Sequence, residues 1–122
     1  MMIILICDDE HAIAQLHEMN LKRILNAKRI DIAYTGGEAA ELLEHKQYDL
    51  ILCDQNLGDE LSGLDLLVCI RKASLVTPFI LCTSMELPLL QNDRNYFFLR
   101  KPYKLTELQD AVNSLIISDS NE

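Results

Sequence analysis

Tyr48-Asp49-Leu50-Ile51-Leu52-Cys53-Asp54 is the stretch that decides how the chain folds. A short apolar run bounded by polar residues reads as one buried strand. It ends on a carboxylate, Asp54. The residues beyond, Gln55-Asn56-Leu57-Gly58-Asp59-Glu60, are polar and loop-like. An apolar run that delivers an acid into a loop is how α/β folds present chemistry at the carboxyl ends of parallel strands.

Upstream, Met2 to Cys7 is apolar enough for a central strand and stops at Asp8-Asp9-Glu10. Because it runs straight into acids and has no basic leader, it reads as a strand and not as a signal-peptide core. A helix is expected from His11 to about Ala27, with Ile13, Leu16, Leu21 and Ile24 on its apolar side. Asn20 lies inside that stripe without an evident role. Arg29 to Tyr34 reads as a second strand. Thr35-Gly36-Gly37-Glu38 has the form of a capping box that opens a helix ending near Lys46.

Downstream, Ser62-Gly63-Leu64-Asp65 starts a helix whose buried side is Leu64, Leu67 and Val68, ending near Ala73. Phe79 to Cys82 is a fourth strand, stopping at Thr83-Ser84. Tyr96 to Leu99 is a fifth, running into Arg100-Lys101-Pro102. Thr106-Glu107-Leu108-Gln109 caps a last helix with the stripe Leu108, Ala111, Val112 and Leu115. The polar tail from about Ser118 is expected to fray. Between the fourth and fifth strands, Met85 to Asn95 is short and carries Pro88. A proline inside a helix costs about 3 kcal/mol, so a fourth helix there is expected to be short, distorted or absent. Strands alternating with helices make this one α/β domain over 1–122. The sheet is doubly wound and parallel, with five strands in the order 2-1-3-4-5 and helices on both faces.

The chain has 122 residues, 49% of them apolar and 25% charged, which suits a single globular core. A net charge of −8 argues against a nucleic-acid footprint. No apolar run approaches the ~20 residues of a membrane span. Cys7, Cys53, Cys69 and Cys82 make no C-x-x-C pair and read as buried thiols in a reducing, cytoplasmic setting.

In that strand order the first and third strands are neighbours, so Asp8, Asp9 and Asp54 converge from distant parts of the sequence. Clustered carboxylates repel, and a divalent cation relieves the repulsion. All-oxygen ligands select a hard ion such as Mg²⁺. Asp9 and Asp54 are expected to ligate it directly, Asp8 through water, and the backbone carbonyl of Asn56 to complete the site. A carboxylate can also attack phosphorus and form an aspartyl phosphate, provided the equatorial oxygens are neutralised. Lys101 can cover one of them and the Thr83 hydroxyl another. A cis bond at Lys101-Pro102 would fix the lysine. His11, His17 and His45 read as exposed helix positions.

Taken together, Asp8-Asp9, Asp54, Thr83-Ser84 and Lys101-Pro102 resemble the signature of response-regulator receiver domains, over nearly the full length. The resemblance implies that Asp54 accepts a phosphoryl group from a histidine kinase or phosphotransfer protein, with Mg²⁺ bound. It implies a switch in which Thr83 moves toward the phosphoryl group and Phe98 changes rotamer, altering a surface read by an effector of unstated identity. Asn56 and Met85 fall where the family sets phosphoryl lifetime. The domain is expected to catalyse only its own phosphorylation and dephosphorylation, and to be a monomer or weak dimer. Four features depart from the family: Leu57-Gly58 replaces a frequent Met-Pro, the loop to Gly63 is longer by a residue, the Met85 to Asn95 segment is short and carries Pro88, and Phe98 lacks the hydroxyl many relatives carry, so its switch would be steric. The alternatives are a phosphorylation-independent interaction module and a Mg²⁺-dependent phosphohydrolase. The second needs an acid where Asn56 stands.

Overall fold

In the computed structural model, which describes residues 2–84 and 95–116 in full and 117–120 as backbone, β3 (Leu50–Asp54) is the middle strand of a parallel sheet. Every residue of β3 is buried, as its unbroken apolar run requires. On one side of it lie β1 (Met2–Cys7) and β2 (Ala27–Ala33); on the other lie β4 (Phe79–Thr83) and β5 (Tyr96–Arg100). The order is β2-β1-β3-β4-β5, as the sequence predicts. Any fourth helix of the kind expected between β4 and β5 falls on 85–94, outside the described residues.

Four helices cover the sheet among the described residues: α1 (His11–Ile24), α2 (Gly36–His45), α3 (Gly63–Lys72) and α4 (Leu105–Ser120). One face buries Ile4, Ile6, Leu50, Leu52 and Ile80 against Ala14 and Leu21 of α1 and Leu108, Val112 and Leu115 of α4. The other buries Leu5, Ile51, Phe79 and Leu81 against Ala39 of α2 and Leu66, Leu67 and Ile70 of α3. Each fully buried aliphatic side chain is worth about 1.5–3 kcal/mol, so these two layers dominate the stability of the fold. No helix among the described residues is long and apolar enough to cross a membrane.

Several local expectations shift. α1 ends at Ile24 and not Ala27, because Ala27 pairs with Met2 and begins β2. Its buried stripe is Ala14, His17 and Leu21, whereas Leu16 is 48% exposed. In α3 the buried side is Leu66, Leu67 and Ile70, with Val68 turned outward. Cys7, Cys53 and Cys82 are buried as expected, but Cys69 on α3 is exposed. The last helix opens two residues earlier than the Thr106 cap predicts. Glu107 accepts from the Lys104 amide (2.8 Å), which makes Lys104 the cap. The helix backbone continues to Ser120, into the stretch expected to fray.

Two helix starts hold the loop after β3. Ser62 and Asp65 form a reciprocal capping box at α3. At α2 the Thr35 hydroxyl accepts from Glu38 N–H (3.1 Å), but the carboxylate partner is Asp59 and not Glu38. Asp59 accepts from the amides of Gly36 (3.1 Å) and Gly37 (2.9 Å) and so fastens the loop to α2. Gly36 is required by this approach, since a Cβ there would overlap Leu61 Cβ.

Candidate functional site

Cys7 pairs with Cys53 in the β1/β3 ladder, so the residues that follow, Asp8 and Asp54, emerge side by side. Asp8 is wholly buried, Asp54 is 9% exposed and Asp9 is half-buried. One carboxylate oxygen from each of the three lies within 4.8 Å of the others. The predicted convergence of Asp8, Asp9 and Asp54 is therefore present.

Each carboxylate is held differently. Asp8 Oδ1 accepts from Glu10 N–H (3.0 Å), and its Oδ2 accepts from Lys101 Nζ (3.0 Å). Asp54 Oδ1 accepts from Gln55 N–H (2.9 Å), while its Oδ2 faces Lys101 Nζ at 3.6 Å. Burial pushes the Asp54 carboxyl up, with repulsion from Asp8 and Asp9 adding to it, and the Lys101 ammonium and Gln55 amide only partly oppose this. Burial acts on Asp8 too, yet its neighbours His17, the Glu10 amide and Lys101 win, leaving that carboxyl below the usual range. Lys101 loses hydration by burial, but the Asp8 and Asp54 carboxylates outweigh this and raise its pKa.

Of the remaining predicted residues, Thr83 and Asn56 stand at the same edge and Phe98 lies in mid-strand. Thr83 ends β4, is 3% exposed, and its carbonyl accepts from Lys101 N–H (3.0 Å). The Lys101-Pro102 peptide is cis. Phe98 pairs with Leu81 and is half-buried against the α2/α3 layer. Asn56 is exposed in the loop, and its side-chain oxygen accepts from Gly58 N–H (3.2 Å). The loop is moored at Gln55, whose carbonyl accepts from Gly63 N–H (3.0 Å) and whose side chain accepts from Leu64 N–H (2.9 Å). Gly63 packs so closely that a Cβ would stand 2.5 Å from the Asp54 carbonyl oxygen. Met85 lies outside the described residues.

The family profile described as response regulator receiver domain matches residues 4–113. The chain belongs to the response regulator receiver family. The receiver is 37% identical over 112 residues to the response regulator protein PilR of Pseudomonas aeruginosa, covering 88% of this chain and 24% of PilR. It is 31% identical over 121 residues to the transcriptional regulatory protein YkoG of Bacillus subtilis, covering 93% of this chain and 50% of YkoG. It thus spans between a quarter and half the length of these relatives. Among solved structures it superposes on anti-anti-sigma factor PhyR from Bartonella quintana with a TM-score of 0.80 and 27% identity, covering 98% of this chain and 49% of that one.

Receiver domains generally bind Mg²⁺ at an acidic cluster, and this receiver's residues fit that ion. Three carboxylates against one ammonium leave two negative charges uncompensated, which one divalent cation balances. The donors are all hard oxygens.

Three side chains beside the site escaped the sequence reading. His17, read as exposed, is 2% exposed and points between α1 and the residues after β5. Its Nδ1 lies 2.6 Å from the Tyr103 hydroxyl, and its Nε2 lies 3.4 Å from Asp8 Oδ2. Asn20 donates to the same hydroxyl (3.3 Å), which gives this residue its role. The available signal was the spacing: His17 and Asn20 fall one helical turn apart, inside a stripe flanked by Ala14 and Leu21. His11 is exposed and stacks on Tyr34, and His45 is exposed as expected.

Proposed function

We propose that this receiver is the phosphoacceptor of a two-component phosphorelay, and that Asp54 takes its phosphoryl group from a histidine kinase or phosphotransfer protein. The observation that carries the reading is the meeting of Asp8, Asp9 and Asp54 within 4.8 Å, with Lys101 Nζ 3.6 Å from Asp54 Oδ2. An Asp54 oxygen attacks phosphorus, the bond from phosphorus to the donor's imidazole nitrogen breaks, and that nitrogen takes up a proton. Mg²⁺, held by Asp9, Asp54 and the Asn56 carbonyl and through water by Asp8, would neutralise one phosphoryl oxygen. Lys101 covers a second oxygen and the Thr83 hydroxyl a third. No hydrogen bond within the described residues claims the Asn56 carbonyl, which supports its place in this set.

Thr83 and Phe98 form the switch. Thr83 at the end of β4 draws toward the phosphoryl group, and Phe98, without a hydroxyl, follows by packing alone. That transmits the charge change to an effector surface. The domain works in the cytoplasm and has no external substrate of its own.

Incubation with Mg²⁺ and acetyl phosphate, read by intact mass, tests this. One phosphoryl group per chain, absent from Asp54→Ala, is the expected result. No uptake by the wild type points to a phosphorylation-independent interaction module, and many turnovers point to a phosphohydrolase.

A further inference from the structure

We infer that His17 is a positioning residue for this site: a replacement hydrogen-bond donor that holds Asp8 when Lys101 turns to the phosphoryl group. The inference rests on the phosphoacceptor reading above. It starts from a conflict over Lys101. In this structure Lys101 bonds Asp8 Oδ2 at 3.0 Å, yet it must serve an oxygen on Asp54, from which it is now 3.6 Å away. Asp8 is wholly buried, so a carboxylate oxygen released by the lysine finds no bulk water. A buried charge left without its donor costs far more than the bond was worth.

His17 Nε2 is the group in place to take over. It is buried, has no hydrogen-bond partner among the described residues, and stands 3.4 Å from the same oxygen, Asp8 Oδ2. Its hydrogen can be assigned from the neighbours. Asn20 donates to the Tyr103 oxygen, and the Tyr103 hydroxyl hydrogen is then free to point at His17 Nδ1, 2.6 Å away. That makes Nδ1 the acceptor and puts the ring hydrogen on Nε2, facing Asp8. The reverse arrangement would set the Nε2 lone pair against an ionised carboxylate. The chain of donors therefore runs from Asn20 through Tyr103 to His17, whose Nε2 hydrogen is left facing Asp8.

Two measurements test this. In the metal-free, unphosphorylated protein, long-range proton–nitrogen correlation of the His17 ring is expected to show a hydrogen on Nε2; a bare Nε2 overturns the inference. Next, His17→Leu keeps the bulk of the ring without donors, whereas His17→Gln places an amide N–H near the Nε2 position. Phosphorylation by acetyl phosphate with Mg²⁺ is expected to slow about tenfold in His17→Leu and stay within about twofold of wild type in His17→Gln. Mg²⁺ affinity by calorimetry is expected to fall in the same order. A leucine variant that matches wild type, or a glutamine variant as slow as leucine, overturns the donor role. If leucine prevents folding, the glutamine variant and the ring measurement still decide. A wild type that takes up no phosphoryl group overturns the phosphoacceptor reading instead, and the ring measurement judges the His17–Asp8 contact by itself.

Discussion

Lys101 donates to Asp8 across 3.0 Å, tying the end of β5 to the end of β1 with Asp54 between them. The ammonium thus holds buried charge apart from any role in chemistry. Lys101→Met is expected to lower stability by about 1–3 kcal/mol in urea denaturation, because Asp8 keeps its charge without its cation. Phosphorylation of Asp54 should fall by on the order of a hundredfold, the usual cost of losing a charge-stabilising donor. Lys101→Arg should restore much of the stability and little of the rate, since the larger planar guanidinium can pair with the carboxylates but does not place a compact charge on the phosphoryl oxygen as the ammonium does.

The Asp54 carboxyl is raised above its ordinary 3.8, so the folded chain binds that proton more tightly than the unfolded chain. Stability from this group is present below pH 3.8 and is lost as pH rises through the folded value. Asp54→Asn removes the repulsion and is expected to raise Tm at pH 7, without Mg²⁺, by about 3–5 °C. The gain should vanish as pH is lowered toward 3.8. Asp8 works in the opposite sense: its folded pKa lies below 3.8, so its stabilisation holds above that pH and disappears as pH falls through the folded value. Thermal scans of both proteins across pH 3–7 check the two signs.

Mg²⁺ is expected to stabilise the wild type by mass action, about 2.7 kcal/mol at a hundred times Kd, and chelation should reverse it. Asp54→Asn should show a clearly smaller shift at the same ion concentration. Equal shifts in the two proteins would move the ion away from Asp54.

Asp59 fastens the loop after β3 to the start of α2 through two amides. Asp59→Ala is expected to lower the urea midpoint modestly, as the loss of a helix cap does. Gly36→Ala should cost about 1–3 kcal/mol, because the new methyl overlaps Leu61 and Asp59. Gly37→Ala meets nothing closer than 3.6 Å and should fall within about 1 kcal/mol of wild type. Urea titrations of the three variants rank them.

The strands β1 and β3 were legible as short apolar runs ending on acids; the sheet order came from the common doubly wound arrangement of alternating strands and helices, and the meeting of the three aspartates followed from that order. The α1 face was not. Leu16 suits an apolar stripe by composition, yet Ala14, His17 and Leu21 are the residues that pack inward. A buried histidine hides in a sequence because only its tertiary partners, here Tyr103 and Asp8, satisfy its nitrogens. The carboxylate at α2 was missed for a similar reason. Asp59 is remote from Thr35 in the chain, whereas capping rules see only near neighbours. The two caps that were local, Thr35 to Glu38 and Ser62 to Asp65, were read correctly as starts.

The rung from the Lys101 amide to the Thr83 carbonyl closes the β4/β5 ladder between two residues of the site. Whatever the chain does between those strands, it must leave and return through a pair of backbones already joined. The backbones that carry the hydroxyl and the ammonium are therefore fastened to each other directly, whichever side chains they bear.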